Sequence, residues 1–231
     1  MNPEAIARLD RLIKERQVLI SSGTLREELV KFHKEFPNED ESRYDFLDAV
    51  SLYDRSAKSG IKDPQHYVEL LHQFEVIERS TPELAFYIPN YMLLCARNAG
   101  SPTDEKIPKL FQEAATASLH LPDDERAEAL GHLHYNVARC LHKKGRLYDA
   151  LTHWQSAAAH RLMFYERIKT ANESHERLLP AAQQLWKMRG DFGDFFPDLE
   201  GSESGVSLET HEGLFSEYGD VVRAASAVPK K

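Results

Sequence analysis

Apolar residues recur at intervals of three and four along most of the chain: Ile6, Leu9, Ile13 and Ile20, then Leu25, Leu29, Phe32 and Phe36, then Tyr67, Leu70, Leu71, Phe74 and Ile77. This spacing gathers them on one face of a helix, and the strict alternation that marks a strand is missing. Three breaks carry a start signal. Asn2-Pro3, Asp63-Pro64 and Thr81-Pro82 each set a capping side chain before a proline at the first helical position, where its missing N–H costs nothing. The pattern predicts helices near residues 3–20, 24–36, 41–59, 64–79, 82–99, 105–119, 123–144, 147–178 and 180–190. The fold class expected is all-α.

Gly23, Gly60, Gly100, Gly145 and Gly190 each follow a predicted helix. A glycine past a helix end takes the left-handed conformation that lets the chain reverse, so each is expected to join the two helices of an antiparallel hairpin. The hairpins also share sequence. Residues 91–100, Tyr-Met-Leu-Leu-Cys-Ala-Arg-Asn-Ala-Gly, lie over residues 136–145, Asn-Val-Ala-Arg-Cys-Leu-His-Lys-Lys-Gly, with Cys95 on Cys140 and Gly100 on Gly145. Downstream, Phe111-Gln-Glu-Ala-Ala matches Trp154-Gln-Ser-Ala-Ala. Repetition of this kind is the signature of stacked helical repeats.

Residues 126–160 resemble a tetratricopeptide repeat. The pattern runs His134-x2-Val137-Ala138-x2-Leu141, then Gly145 at the turn, Ala150-x3-Trp154 and Ala157, with His134 where the family has Trp and Leu162 where it has a closing Pro. The missing Pro leads us to expect one long helix running from 147 toward Pro180. The resemblance implies antiparallel hairpins stacked in a right-handed solenoid, with Ala138, Ala150 and Ala157 at the helix crossing and Tyr135 and Trp154 beside them. It further implies a concave groove that binds a peptide or partner helix, as in adaptors, scaffolds and chaperones. His132, Tyr135, Asn136, Arg139 and Lys143 would line it, Asn136 standing where related proteins bond a peptide's backbone or terminal carboxylate. Leu94 and Asp54 replace cations of the carboxylate-binding members, which argues against that ligand.

Charge refines the picture. The chain has 29 basic and 37 acidic residues, a net −8, which argues against broad nucleic-acid binding. Residues 192–231 alone carry −5, whereas 139–190 carry +6, so a basic face is hidden in an acidic total. Helical repeats that bind single-stranded RNA make such a surface the alternative reading. We therefore divide the chain into a helical-repeat domain, 1–190, and an acidic tail, 191–231. In the tail Leu214, Phe215, Tyr218, Val221 and Val222 fall on one face of a short helix, suited to docking on the repeats of its own or a second chain.

Candidate chemistry is sparse. Cys95 and Cys140 sit in apolar runs without CxxC spacing and read as core filler. Glu69-x2-His72 has the spacing of a helical di-iron site, but no second copy occurs, so a helical metalloenzyme ranks below RNA binding and neither a metal nor a cofactor is expected. P-loop, GxSxG and glycine-rich dinucleotide motifs are missing, and no enzyme activity is expected. Without a membrane-length apolar run or a signal-like N-terminus, the protein is expected to be soluble and cytoplasmic.

Overall fold

The computed structural model describes residues 2–37, 41–100, 103–171 and 175–200. Among the described residues the chain forms nine helices and no strand. They are α1 (Pro3–Ser22), α2 (Leu25–Glu35), α3 (Glu41–Lys58), α4 (Pro64–Val76), α5 (Pro82–Asn98), α6 (Lys106–Ser118), α7 (Asp123–Lys143), α8 (Leu147–Thr170) and α9 (His175–Glu200). None is long and apolar enough to cross a membrane.

The three proline starts form as their chemistry dictates. Asn2 accepts from the Glu4 amide at 3.0 Å, Asp63 from Gln65 at 3.0 Å and Thr81 from Leu84 at 3.2 Å, each satisfying a donor that the first helical turn leaves open. Of the turn glycines, Gly23, Gly60 and Gly145 adopt φ of +76°, +68° and +73°, the region that a side chain disfavours. α5 instead ends at Asn98, with Ala99 extended after it.

The chain divides into two compact units, Met1–His120 and Leu121–Lys231. In the first, α1 packs on α2 and α3, α3 on α4 and α5, and α5 on α4 and α6. Its core is aromatic. Tyr91 meets Phe74 with stacked rings at 5.6 Å and Phe46 edge-on at 5.7 Å, and Tyr53 closes the group at 6.0 Å from Tyr91. Phe46 and Phe74 are fully buried, each stabilising the fold by about 1.5–3 kcal/mol relative to exposure. The surface is tied by ion pairs between helices, Arg8 with Glu35, Arg26 with Asp48, Arg43 with Asp10 and Lys106 with Glu75. Such pairs set register more than stability.

In the second unit α7 and α8 form a closely packed hairpin, and α9 lies along α8. Ala138, Ala150 and Ala157 are fully buried, and Tyr135 meets Trp154 edge-on at 5.4 Å. Gly131 allows a still closer approach, because a Cβ there would lie 2.8 Å from Arg161 Cγ.

Two sequence expectations fail here. The helix expected to span 147–178 stops at Thr170, with the Ala171 amide donating to the Arg167 carbonyl, just before Asn172 and Ser174. Side chains of those types compete for backbone hydrogen bonds and favour helix ends. The helix expected over 180–190 runs instead from His175 to Glu200, straight through Gly190 and past the boundary assigned to the acidic tail. Gly190 and Gly193 each cost about 1 kcal/mol against Ala in a helix interior and Pro197 about 3, so local preference alone ends the helix early. Packing against α8 and α7 overrides it.

Candidate functional site

The polar face of the second unit grows from a helical repeat of positions. On α7, Tyr135, Arg139 and His142 stand at i, i+4 and i+7, which places all three on one side of the helix. On α9, Asp191, Phe195 and Asp198 have the same spacing. The two rows meet. The Tyr135 hydroxyl donates to Asp191 Oδ2, Arg139 Nη1 donates to the Tyr135 oxygen at 3.2 Å and lies 4.0 Å from Asp191, and His142 Nε2 is 2.7 Å from Asp198 Oδ2. Between the polar contacts Phe195 is fully buried, its ring 4.9 Å from His142 and 6.3 Å from Trp154. A carboxylate, a phenyl ring and a second carboxylate are thus received by a phenol and guanidinium, an aromatic pocket and an imidazole.

Beneath this row lies Arg161 of α8, buried with its guanidinium carbon 4.2 Å from the centre of the Tyr135 ring. Its Nη1 donates to the Gln184 carbonyl of α9 at 3.1 Å, and its Nε has no hydrogen-bond partner. Burial draws the Arg161 pKa down to about 10 against the opposing pull of Tyr135, Asp191 and Glu128. Burial, followed by the bond to Asp191, pushes the Tyr135 phenol up to about 12, so it stays a donor at neutral pH.

A second cluster lies in the same hairpin. His134 Nδ1 of α7 is 2.9 Å from His153 Nδ1 of α8, and the His160 ring stacks on His134 at 5.7 Å with its own Nδ1 buried and unpartnered. Burial, then the two neighbouring imidazoles, lowers the His134 pKa to about 4, and burial lowers those of His153 and His160 as well. The group is therefore neutral near pH 7. Among the described residues no group of three or more His, Cys, Asp or Glu is placed to hold a metal ion. His72 instead pairs with Glu75 at 2.7 Å.

The sequence-predicted groove set divides. His132 is half-buried, 3.8 Å from Glu128, and Lys143 is exposed. Tyr135 and Asn136, expected to face an open groove, are only 5% and 8% exposed. For Tyr135 the reason is α9, whose extension to Glu200 brings Asp191 onto it. Arg139 joins the same contact, so two of the five residues converge on Asp191. The tail residues Leu214, Phe215, Tyr218, Val221 and Val222 lie outside the described residues. Sequence reasoning missed His142, Arg161, Asp191, Phe195 and Asp198. The i, i+4, i+7 signal at 191–198 was present but masked by Gly190, Gly193 and Pro197.

The basic stretch 139–190 is partly consumed inside the fold. Arg161 is buried, Arg139 faces Asp191, Arg146 pairs with Asp149 at 2.7 Å, and Arg167 donates to the Asp123 carbonyl at 3.0 Å. In the first unit, a shallow hollow lined by Arg79, Glu113, Gln112 and Thr116 holds an ion pair at 3.4 Å and no activated nucleophile. The geometry therefore defines a class: the described residues are all-helical, with a polar-aromatic face of α7 against which the second half of α9 packs. No family model, curated protein or solved structure matches the chain.

Proposed function

We propose that the protein is a non-catalytic interaction module, an adaptor, scaffold or chaperone of tetratricopeptide-like hairpins that receives a peptide or partner helix. The observation that carries this reading is the α7–α8 face, where Tyr135, Arg139 and His142 grip a helix through Asp191, Phe195 and Asp198. This is the helix-in-groove mode of recognition, in which side chains at i, i+4 and i+7 supply specificity.

The pairing of helices gives further support. α1 packs on α3 and α3 on α5, while α2 packs on α3 and α4 on α5. In stacked hairpins each first helix touches the next first helix and each second helix touches the next first helix. The burial of Ala138, Ala150 and Ala157 in the α7–α8 hairpin fits the same scheme.

The test is affinity capture from native lysate with the full chain and with an Arg139→Glu, His142→Glu double variant. The reading expects a reproducible set of proteins that the double variant loses. Identical sets from both chains, or none from either, would overturn it.

A further inference from the structure

Resting on the interaction reading, we propose that residues 190–200 of α9 are an internal stand-in for the partner, and that the partner is a helix carrying carboxylate, phenyl and carboxylate at i, i+4 and i+7. The site then works by exchange. In the resting chain its own segment fills the face; a partner with the same three groups displaces it.

Three observations converge on this. The first is complementarity: Asp191 and Asp198 of α9 set their carboxylates against a phenol, a guanidinium and an imidazole of α7. The fully buried phenyl ring of Phe195 sits between them beside Trp154 and His142. A buried aromatic ring with flanking charges is the anatomy of a recognition surface.

The second is the composition of the segment. Residues 190–200 contain Gly190, Gly193 and Pro197 within one helix, the residue types that rank last in helix propensity. The segment is helical because it is docked. Its undocked state is therefore favoured by its own backbone, and a competing helix with better formers at those positions gains the same contacts at a smaller ordering cost.

The third is the unevenness of α9 itself. Its first half buries Ala181, Ala182, Leu185 and Met188, an apolar stripe. Its second half carries the acidic row, with Phe195 as its one described fully buried ring. The first half can hold α9 to the unit while the second exchanges, which makes the tethered segment a competitor of high effective concentration.

The experiment uses a fluorescent peptide reproducing residues 186–200 with Gly190→Ala, Gly193→Ala and Pro197→Ala, titrated by anisotropy into full-length protein. The wild-type chain is expected to bind weakly, and a Phe195→Ala chain, whose own segment is released, at least tenfold more tightly. Arg139→Glu in that chain, or Phe195→Ala in the peptide, should each lose at least tenfold. If Phe195→Ala disturbs folding by circular dichroism, the Asp191→Asn, Asp198→Asn chain takes its place with the same expected gain.

Equal affinity for wild-type and released chains, or no binding by either, overturns the proposal. Sedimentation of the wild-type chain as a dimer that the peptide dissociates assigns the face to a second copy and overturns it too. Failure here is separable from failure of the interaction reading. If the peptide does not bind but lysate capture still depends on Arg139 and His142, only the stand-in is wrong; if capture is also independent of them, both fall.

Discussion

Among the described residues, each unit of the protein buries one arginine on a tyrosine ring, and the two arrangements end differently. In Met1–His120 the Arg16 guanidinium carbon lies 3.5 Å from the centre of the Tyr87 ring, and its Nη1 donates to the Ile13 carbonyl of its own helix at 2.5 Å. In Leu121–Lys231 the Arg161 guanidinium lies on Tyr135, but there the phenol continues to Asp191 and the guanidinium to the Gln184 carbonyl. The first device joins α1 to α5, because the Arg16 guanidinium also bonds the Tyr87 and Tyr91 side chains, and it stays within the packed core of its unit. The second bridges to α9, so the same chemistry becomes a joint between a hairpin and a docked segment. The surroundings follow suit. Arg16 lies in a unit whose core is phenyl and phenol rings, whereas beside Arg161 the glycine at 131 lets α7 come close to α8.

The largest effect is expected at Trp154, the fully buried ring that both Tyr135 and Phe195 approach. Trp154→Ala should destabilise the second unit by about 3–5 kcal/mol in chemical denaturation. Loss under 1 kcal/mol would mean that the hairpin does not depend on this contact.

Next come two glycines in helices of the same unit, where one substitution is expected to have opposite signs. Gly131→Ala forces a Cβ to 2.8 Å from Arg161 Cγ and should destabilise by about 1–2 kcal/mol net of its gain in helix propensity. At Gly190 nothing lies within 4 Å of an added Cβ, so Gly190→Ala should stabilise by about 0.5–1 kcal/mol. Thermal denaturation of the two variants side by side reads the difference.

Acid sharpens the comparison further, because the imidazole cluster belongs to the second unit. His134 has its pKa lowered to about 4 from the model-peptide value of 6.5, so the unfolded chain takes up a proton that the folded chain refuses. Stability should be unaffected above pH 6.5 and fall as pH drops from there toward 4. Allowing for partial exposure, the loss at pH 5 is on the order of 1 kcal/mol. His134→Gln should flatten the profile measured by melting between pH 7.5 and 5.0; an unchanged profile would remove the cluster as its cause. The last effect is local and no larger: Thr81→Ala removes the cap on Leu84 and should cost about 1 kcal/mol in the first unit.

What could be read from the sequence divides along the same line as these effects. Helix starts at Pro3, Pro64 and Pro82 rest on a cap and a proline within a few residues, and they formed where local chemistry placed them. Turns at Gly23, Gly60 and Gly145 were equally local. The end of α9 was not, since the contacts of Asp191, Phe195 and Asp198 outweigh two glycines and a proline, and only the folded hairpin supplies them. The site shows the same limit. Spacing on α7 picked out Tyr135 and Arg139, but Arg161, counted by sequence as part of a basic surface, is buried because Tyr135, Gln184 and the glycine at 131 make room for it.

The central claim, that a polar-aromatic face of the α7–α8 hairpin holds the second half of α9 as a separable segment, is tested most directly by hydrogen exchange on the full chain, wild type against Arg139→Glu. The account predicts faster exchange confined to residues 190–200, with α7, α8 and the first half of α9 still protected. Unchanged exchange at 190–200, or a rise spread evenly over the whole unit, would contradict it.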